Sequence, residues 1–331
     1  MNLQDPIAEA VERSGLREVP ANPAGAGVAR EAGVAAATHS ALRRFAFLAV
    51  LVTGAFALPL VDWFRFSLKT SLFSHLPLIP VVSAWWIWRR AGGEQVLRAR
   101  PSPGWAALAA AVAGLLVSGY WLGLAGRGRA TLPMAEYLCL MTVAYLAALL
   151  AAALLTLGAR VVKAFRFPVL FLAFMVPWPQ GLVDGVETAL QLASAEAAHW
   201  LLVLSGVPVL RDGLVFKLPG LTFEVAQECS GIRSSLVLFI TSVLGARLLL
   251  RTRWRRWVLV LGVLPLGVLR NGFRILTLGW LTVNVNPAVI DSPLHHSGGP
   301  IFFALSLGPF FLLLWWLRRS ERALAPKAAG N

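Results

Sequence analysis

One short polar stretch, ECSGIRS at residues 228–234, places a carboxylate, a thiol and a guanidinium between apolar segments. These groups belong to Glu228, Cys229 and Arg233. A thiol attacks carbonyl carbons only as the thiolate, and nearby positive charge, a histidine base or a helix N-terminus lowers its pKa. Because an apolar run begins at about residue 231, Cys229 would lie at the start of a helix. The stretch therefore predicts a cysteine nucleophile.

Two later motifs could supply its partners. RNGFRI holds Arg270, Asn271 and Arg274 within an apolar run, and DSPLHHSGGP holds His295 and His296. An arginine inside a membrane span is costly and is usually functional or paired. Arg274 could hold a developing oxyanion, while a histidine could take the thiol proton and return one to a leaving amine. Together, these roles are those of a cysteine protease.

Each of these residues also has a structural interpretation. A free cysteine often behaves as a small hydrophobe, and an intramembrane arginine can form a structural ion pair or extend to the interface. Arg270, one turn deeper than Arg274, competes with it for the catalytic role. Adjacent histidines could be half of a metal site, but no further His or Cys stands at ligand spacing. The sequence therefore predicts neither a metal nor a cofactor.

The elements that position these groups are predicted to be membrane helices. The 331 residues are 57% hydrophobic and only 14% charged, which is not a soluble globular composition. Apolar runs of about 20 residues can each cross a bilayer core of roughly 30 Å. The predicted fold is an all-α polytopic integral membrane protein with about eight transmembrane helices. The predicted spans are 45–61, 72–88, 105–124, 133–157, 165–178, 231–250, 257–282 and 300–317.

The distribution of positive charge predicts the orientation. The formal net charge is +14, but the basic residues are concentrated in alternate loops between spans, as in residues 251–256 and 318–322. This is the positive-inside pattern, so it excludes nucleic acid as the partner and places both termini in the cytoplasm. We expect residues 1–42 to be a disordered cytoplasmic tail, 43–317 the membrane domain and 318–331 a basic cytoplasmic tail. Cys229, Arg274 and the two histidines then share the outer side.

The longest stretch outside the predicted spans, 179–228, is expected to cap the outer ends of the helices. Its first half repeats apolar residues at helical spacing, which indicates an amphipathic helix on the membrane or against the bundle. The members of this stripe are Val183, Val186, Leu190, Ala193, Ala197, Trp200, Leu201 and Leu204. Further along, Asp212-Gly213 between alternating runs predicts a β-hairpin. The cap leads directly to Cys229.

The motifs ECSGIRS, NGFRI and HHSGGPIFF resemble those of the exosortase/archaeosortase family. The segments FSHLPLIPVVSAWWIWRR, which contains His75, and FPVLFLAFMVPWP are also similar, and the resemblance covers about residues 65–317. It implies Cys229, Arg274 and His295 as catalytic residues. His295 fits the family spacing through Gly299 four residues later, which leaves His296 as the alternative. Pro300 departs from the pattern, because an aromatic residue is expected there. The supporting residues are Glu228, Arg233, Asn271 and His75.

The resemblance also implies a reaction and its partners. Family members act on exported proteins with a C-terminal sorting tag, which consists of a short motif often of the PEP-CTERM kind, a transmembrane helix and a basic end. Cys229 would attack the peptide bond at the motif and form a thioester, which an envelope glycan or lipid acceptor would then resolve. The expected location is the inner membrane of a bacterium that makes exopolysaccharide, with the active site on the periplasmic face and membrane lipids around it.

Other functions remain open at the level of sequence. A transporter or flippase of envelope precursors could also use an interrupted helix and buried charge, but no inverted internal repeat is seen. An endopeptidase that uses water as the acceptor would form the same thioester. A structural or assembly protein would leave the shared location of the thiol, guanidinium and imidazole unexplained.

Overall fold

The computed structural model describes residues 23–90, 99–127, 132–219, 221–225, 231–286 and 299–324. Within these ranges the chain is dominated by helices and contains one small sheet, which confirms the predicted all-α polytopic class. The helices are α1 Pro23–Ala55, α2 Ala57–Lys69, α3 Leu78–Arg90, α4 Pro103–Arg127, α5 Met134–Thr156, α6 Ala159–Ala164, α7 Arg166–Phe171, α8 Gln180–Leu204, α9 Ile232–Leu249, α10 Arg253–Asn284 and α11 Gly299–Leu324. The strands are β1 Leu210–Asp212, β2 Val215–Leu218 and β3 Leu221–Glu224, and 3₁₀ turns cover Ser71–Phe73 and Leu172–Met175.

Six helical segments of the described chain are long and apolar enough to cross a membrane. They are Ser71–Arg90, Pro103–Gly123, Met134–Thr156, Ile232–Leu249, Arg253–Asn284 and Gly299–Arg322, and each coincides with a predicted span. Two further predicted spans, 45–61 and 165–178, correspond to helix pairs that are sharply bent. If each bent pair is one span, the number rises to eight, as the sequence predicts.

Prolines explain both breaks. The first pair bends by 71° between α1 and α2, and the ring of Pro59 would clash with the carbonyl of Ala55 in a continuous helix. The second pair is interrupted at residues 176–179, where Pro177 and Pro179 cannot donate backbone hydrogen bonds and disfavour helical geometry in the residues before them. The predicted span 165–178 is therefore a short helical segment that continues into α8 only through a bend.

The N-terminal helix is longer than expected. α1 begins at Pro23, so residues 23–42 of the predicted disordered tail are helical. Alanine is the strongest helix former, and the segment 23–42 is rich in it, which outweighs the cost of its glycines. Residues 1–22 and 325–331 of the predicted tails lie outside the described residues.

The contacts divide the chain into two compact units, of which the first comprises Met1–Val61, Ile79–Thr131 and Leu140–Met175. Aromatic contacts help to hold it together, with the rings of Trp86 and Phe167 centred 4.7 Å apart. Its extended segment at residues 99–102 hydrogen-bonds to the end of α5, because the Ser102 amide donates to the Leu154 carbonyl at 2.9 Å. Gly158, at φ 86°, allows the backbone of Arg100 to pass where a Cβ would collide with its carbonyl oxygen.

The second unit comprises Asp62–Leu78, Leu132–Cys139 and Val176–Asn331, and α10 is its central helix. One face of α10 packs with α9 and α11 in a cluster that includes Leu238, Leu259, Phe310 and Leu317. Another face packs with α8 and the sheet in a cluster that includes Ala198, Leu202, Phe216 and Ile275. The carboxylate of Glu321 on α11 accepts hydrogen bonds from the Arg251 and Thr252 amides and thereby caps the N-terminus of α10.

The sheet confirms the predicted hairpin and extends it. β1 and β2 pair antiparallel with Asp212 opposite Val215, so Gly213, at φ 60°, and Leu214 form the turn, one residue later than the Asp-Gly signal suggests. β3 pairs antiparallel with β2, which makes a three-stranded sheet rather than a hairpin alone. The rings of Phe216 and Phe223 stack across these strands at 5.4 Å. The sheet packs against the C-terminal part of α10, where Phe223 lies near Gly279.

The buried face of α8 coincides with the predicted apolar stripe only in part: Val183 of the stripe is buried, and Ala197 of the stripe faces α10. The buried residues are Val183, Gln191, Ser194, Ala195, Ala198 and Leu202, whereas Trp200 and Leu204 of the predicted stripe are exposed. The helix approaches α10 so closely that a Cβ added at Gly272 would lie 2.9 Å from the Cβ of Ala197. Small side chains permit this approach, while the large side chains of Trp200 and Leu204 are turned outward.

Candidate functional site

Several of the predicted site residues lie outside the described residues. These are Glu228 and Cys229, within 226–230, and His295 and His296, within 287–298. The structure does describe the residues on either side of the cysteine, Val225 and Gly231, together with Arg274, Asn271, Arg233 and His75. The geometry of the site is therefore built from the helices that hold these residues.

The first turn of α9 begins at Gly231, whose φ of 70° is in the left-handed region. Glycine adopts this conformation without the steric cost that other residues incur. The Gly231 carbonyl accepts hydrogen bonds from the Ser235 amide at 3.0 Å and from the Ser234 hydroxyl at 3.1 Å. A Cβ at Gly231 would lie 2.7 Å from Nη2 of Arg270, so this turn is in close contact with α10.

Arg270 connects that turn to α10. Its Nη2 donates to the Gly231 carbonyl and to the Ser235 hydroxyl, each at 3.3 Å. The side chain is buried, and Nη1 is also buried with no hydrogen-bond partner among the described residues. A buried guanidinium requires such acceptors, because burial without them is costly. Of the two arginines that compete in the sequence, Arg270 is thus engaged by the start of α9.

Arg274 lies one helical turn further along the same face of α10. Its side chain is half-buried. Asn271 between them is buried, and its Oδ1 is 3.3 Å from the position of a Cβ at Gly231. α10 continues to Asn284, roughly 20 Å beyond Arg270, whereas α9 starts at the level of Arg270.

On the other side of the cysteine, Val225 is also held in place. Its amide donates to the Leu214 carbonyl at 3.0 Å, and its carbonyl accepts from Nε2 of Gln191 at 2.5 Å. Val225 and Gln191 are both buried. Gln191 is not among the predicted site residues, although its spacing with Ser194, Ala195 and Ala198 marks a buried face of small residues on α8.

The remaining predicted residues are placed less centrally. Arg233 is exposed on the first turn of α9. His75 follows the 3₁₀ turn Ser71–Phe73, which packs on α9, and its Nδ1 lies 3.2 Å from the Leu72 carbonyl. In the part of the chain that the structure describes, no cluster of three or more His, Cys, Asp or Glu side chains is suited to a metal ion.

These features define the class of protein: a polytopic helical membrane protein in which buried polar residues gather where α9 begins beside α10. A family model described as transmembrane exosortase matches residues 63–316. The chain therefore belongs to the transmembrane exosortase family, as the motifs predict. Neither curated proteins nor solved structures give a match to the chain. Family membership supports a membrane role of the peptidase or transpeptidase type, with proteins as substrates.

Proposed function

We propose that this protein is a cysteine transpeptidase that removes a C-terminal sorting tag from exported proteins. The observation that carries the proposal is the contact between Arg270 and Gly231. It places the start of α9, which Cys229 precedes by two residues, beside the turn of α10 that bears Arg270, one turn before Arg274. Because consecutive Cα atoms are about 3.8 Å apart, the Cα of Cys229 lies within about 8 Å of that of Gly231. We infer from this that the thiol and the Arg274 guanidinium act on the same substrate carbonyl.

The proposed reaction has two stages. The Cys229 thiolate attacks the scissile carbonyl carbon after His295 takes the thiol proton, and Arg274 donates hydrogen bonds to the developing oxyanion. When the C–N bond breaks, the imidazolium of His295 protonates the leaving amine, and the tag departs. A hydroxyl or amine of an envelope glycan or lipid then attacks the thioester and restores the thiol. With water as the acceptor, the same thioester would give hydrolysis.

Other predicted residues take supporting roles in this proposal. Asn271, buried beside Gly231, and Glu228, next to the nucleophile, would shape the pocket, and Arg233 would add positive charge at the start of α9. His296 is the alternative base, and His75 is a supporting residue. Within the predicted cap of residues 179–228, we assign the recognition of the short tag motif to the sheet, because the sheet packs near the end of α10 beyond Arg274.

We further propose that the protein lies in the inner membrane with both termini in the cytoplasm. Exposed arginines gather at the end of the α9–α11 bundle opposite to the site, at the beginning of α10 and the end of α11: Arg251, Arg253, Arg318, Arg319 and Arg322. Arg253 and Arg274 are separated by roughly 30 Å along α10, about the thickness of the hydrocarbon core. By the positive-inside rule, the arginine-rich end is cytoplasmic and the site is periplasmic.

The proposal is tested by mapping the C-terminal peptides of envelope proteins by mass spectrometry. Cells carrying the parent protein are compared with cells carrying Cys229→Ala, and Cys139→Ala serves as the matched cysteine control. We expect a set of proteins to retain hydrophobic, basic-ended tails only with Cys229→Ala. If the tails are processed equally in all three strains, with each variant inserted, the cysteine mechanism is wrong and transport becomes the hypothesis to test. Glycan or lipid mass on the new C-termini distinguishes transfer from hydrolysis.

A further inference from the structure

We propose that Gln191 is a positioning residue for Cys229, which it serves by holding the chain on the N-terminal side of the cysteine while Arg270 holds the C-terminal side. The inference rests on the proposed function of Cys229. It assigns to α8 a part in the chemistry that neither the motifs nor the match to the family assigns.

The N-terminal anchor is a buried hydrogen bond between distant parts of the chain. Gln191 on α8 donates from Nε2 to the Val225 carbonyl, and the Val225 amide is bound to Leu214 in the sheet. Both backbone polar groups of Val225 are thus used, in surroundings where Gln191 and Val225 are each more than nine-tenths buried. Water cannot easily replace the Gln191 amide there, so its loss would leave the Val225 carbonyl unsatisfied.

The C-terminal anchor is the contact between Arg270 and the start of α9. Arg270 is likewise more than nine-tenths buried and donates to the carbonyl of Gly231 and the hydroxyl of Ser235. Only five residues, 226–230, separate Val225 from Gly231. A short connection with two fixed ends has far fewer conformations than one held at a single end. We therefore infer that the anchors formed by Gln191 on α8 and Arg270 on α10 together hold Cys229 close to Arg274.

α8 and α10 are themselves locked together, so the two anchors share one frame. Gly272 and Ala197 face each other at the contact between the two helices, and a Cβ at Gly272 would lie 3.1 Å from the Ala198 amide nitrogen. Gln191 and Ala198 lie on the same buried face of α8. A displacement of Gln191 relative to Arg270 would require this contact to open.

The alternative is that Gln191 only stabilises the fold. If Gln191 instead positions Cys229, its loss should change the distance between the thiol and the positive charges proposed to lower the thiol pKa. These are the start of α9 and the guanidinium groups of Arg270 and Arg274. The other charged or titratable groups proposed to act on the thiol are Glu228 and Arg233, which neighbour Cys229 along the chain, and His295, its proposed base. A change that lets the thiol move away from these groups should raise the pH at which it becomes reactive.

The experiment measures maleimide labelling of Cys229 against pH, together with tag cleavage, in the full chain carrying Cys139→Ser so that a single thiol remains. Gln191→Leu keeps the volume and removes the donor, and Gln191→Asn is a milder variant that retains an amide. Ser194→Ala is the matched control, because Ser194 is fully buried on the same face of α8 and its hydroxyl has no hydrogen-bond partner among the described residues.

For Gln191→Leu we expect the midpoint of the labelling profile to rise by about one pH unit and kcat to fall about tenfold, as for loss of one buried hydrogen bond, with KM within about twofold. Gln191→Asn should fall between this variant and the parent, and Ser194→Ala should match the parent. The inference is overturned if the midpoint in both Gln191 variants equals that of Ser194→Ala, or if kcat falls only in proportion to the folded fraction. If Cys229→Ala retains cleavage, the proposed function fails instead, whatever the Gln191 variants show.

Discussion

Replacing Gly231 with alanine tests whether the junction of α9 and α10 is as tight as the geometry indicates. The φ of Gly231 is 70°, where a residue with a Cβ meets its own backbone. The added methyl would also lie 2.7 Å from Nη2 of Arg270 and 3.3 Å from Oδ1 of Asn271. The guanidinium is the movable group of this set, but it is buried and hydrogen-bonded to the turn that the methyl would enter.

Two costs determine the magnitude. The left-handed conformation costs alanine about 1–2 kcal/mol more than glycine. Displacing Arg270 weakens its hydrogen bonds to Gly231 and Ser235, and a bond from a charged donor contributes about 1.5–3 kcal/mol. We therefore expect Gly231→Ala to destabilise the native first turn of α9 by about 3 kcal/mol, which is roughly a 100-fold change in its population relative to displaced states.

The matched control is Gly245→Ala, on the same helix α9. A Cβ at Gly245 would meet nothing within 4 Å, so alanine there should be neutral or should stabilise the helix by up to about 1 kcal/mol. We expect Gly231→Ala to lower both the thermal unfolding midpoint of the detergent-solubilised protein and its tag-cleavage rate, and Gly245→Ala to lower neither. Equal midpoints and equal rates in the two variants would show that the α9–α10 junction accommodates a methyl group at position 231 without measurable cost.

Two further substitutions test how the bundle is held together. Gly272→Ala should lower the unfolding midpoint and reduce cleavage, because the new Cβ would press against Ala197 and the backbone of α8. We expect a cost of about 1–3 kcal/mol. A midpoint equal to that of the parent would mean that α8 and α10 separate easily. Glu321→Gln should lower the free energy of unfolding by about 1 kcal/mol, and with it the midpoint, because the carboxylate caps the N-terminus of α10. The KM for the tag should not change, because this end of α10 is far from the site. A change in KM with an unchanged midpoint would contradict that structural role.

The membrane architecture could be predicted from sequence because hydrophobic length is a direct physical requirement of the bilayer. Each of the six spans that satisfy length and composition, such as Arg253–Asn284, coincides with a predicted one. Both bends are encoded by prolines, and Pro168 and Pro177 already mark the predicted span 165–178 as short and bounded. The bend that joins this segment to α8 is not predicted, because the sequence of residues 179–228 indicates a cap outside the spans.

The packing of α8 could not be predicted from its apolar residues. A hydrophobic stripe indicates the buried face of a helix in water, but large apolar side chains such as Leu204 are equally stable against lipid. The structure instead buries Ser194, Ala195 and Ala198, because close approach to Gly272 needs small residues. The packing of α8 on α10 therefore follows the small-residue rule for closely packed helix pairs. The third strand is not predicted, because the Asp-Gly signal indicates only the pairing of β1 with β2.

The candidate site shows the same division between local and long-range information. Cys229 and Arg274 could be proposed from sequence because their chemistry is rare within apolar runs. Gln191 could not, since a glutamine on an amphipathic helix is ordinarily assigned to the polar face. Its importance arises only when the chain returns, 34 residues later, to place the Val225 carbonyl against it.

The arrangement around α10 connects these observations. An intramembrane arginine needs acceptors, and Arg270 finds two of them in the first turn of α9. Arg274, one turn further along the same face, lies beyond the level at which α9 begins, and α10 extends well past it toward the sheet. We propose that the Arg274 guanidinium at that level faces a substrate carbonyl while Arg270 keeps its contact with α9. The two arginines that are alternatives in the sequence therefore have complementary tasks in our proposal: Arg270 holds the nucleophile's helix, and Arg274 is assigned to the oxyanion.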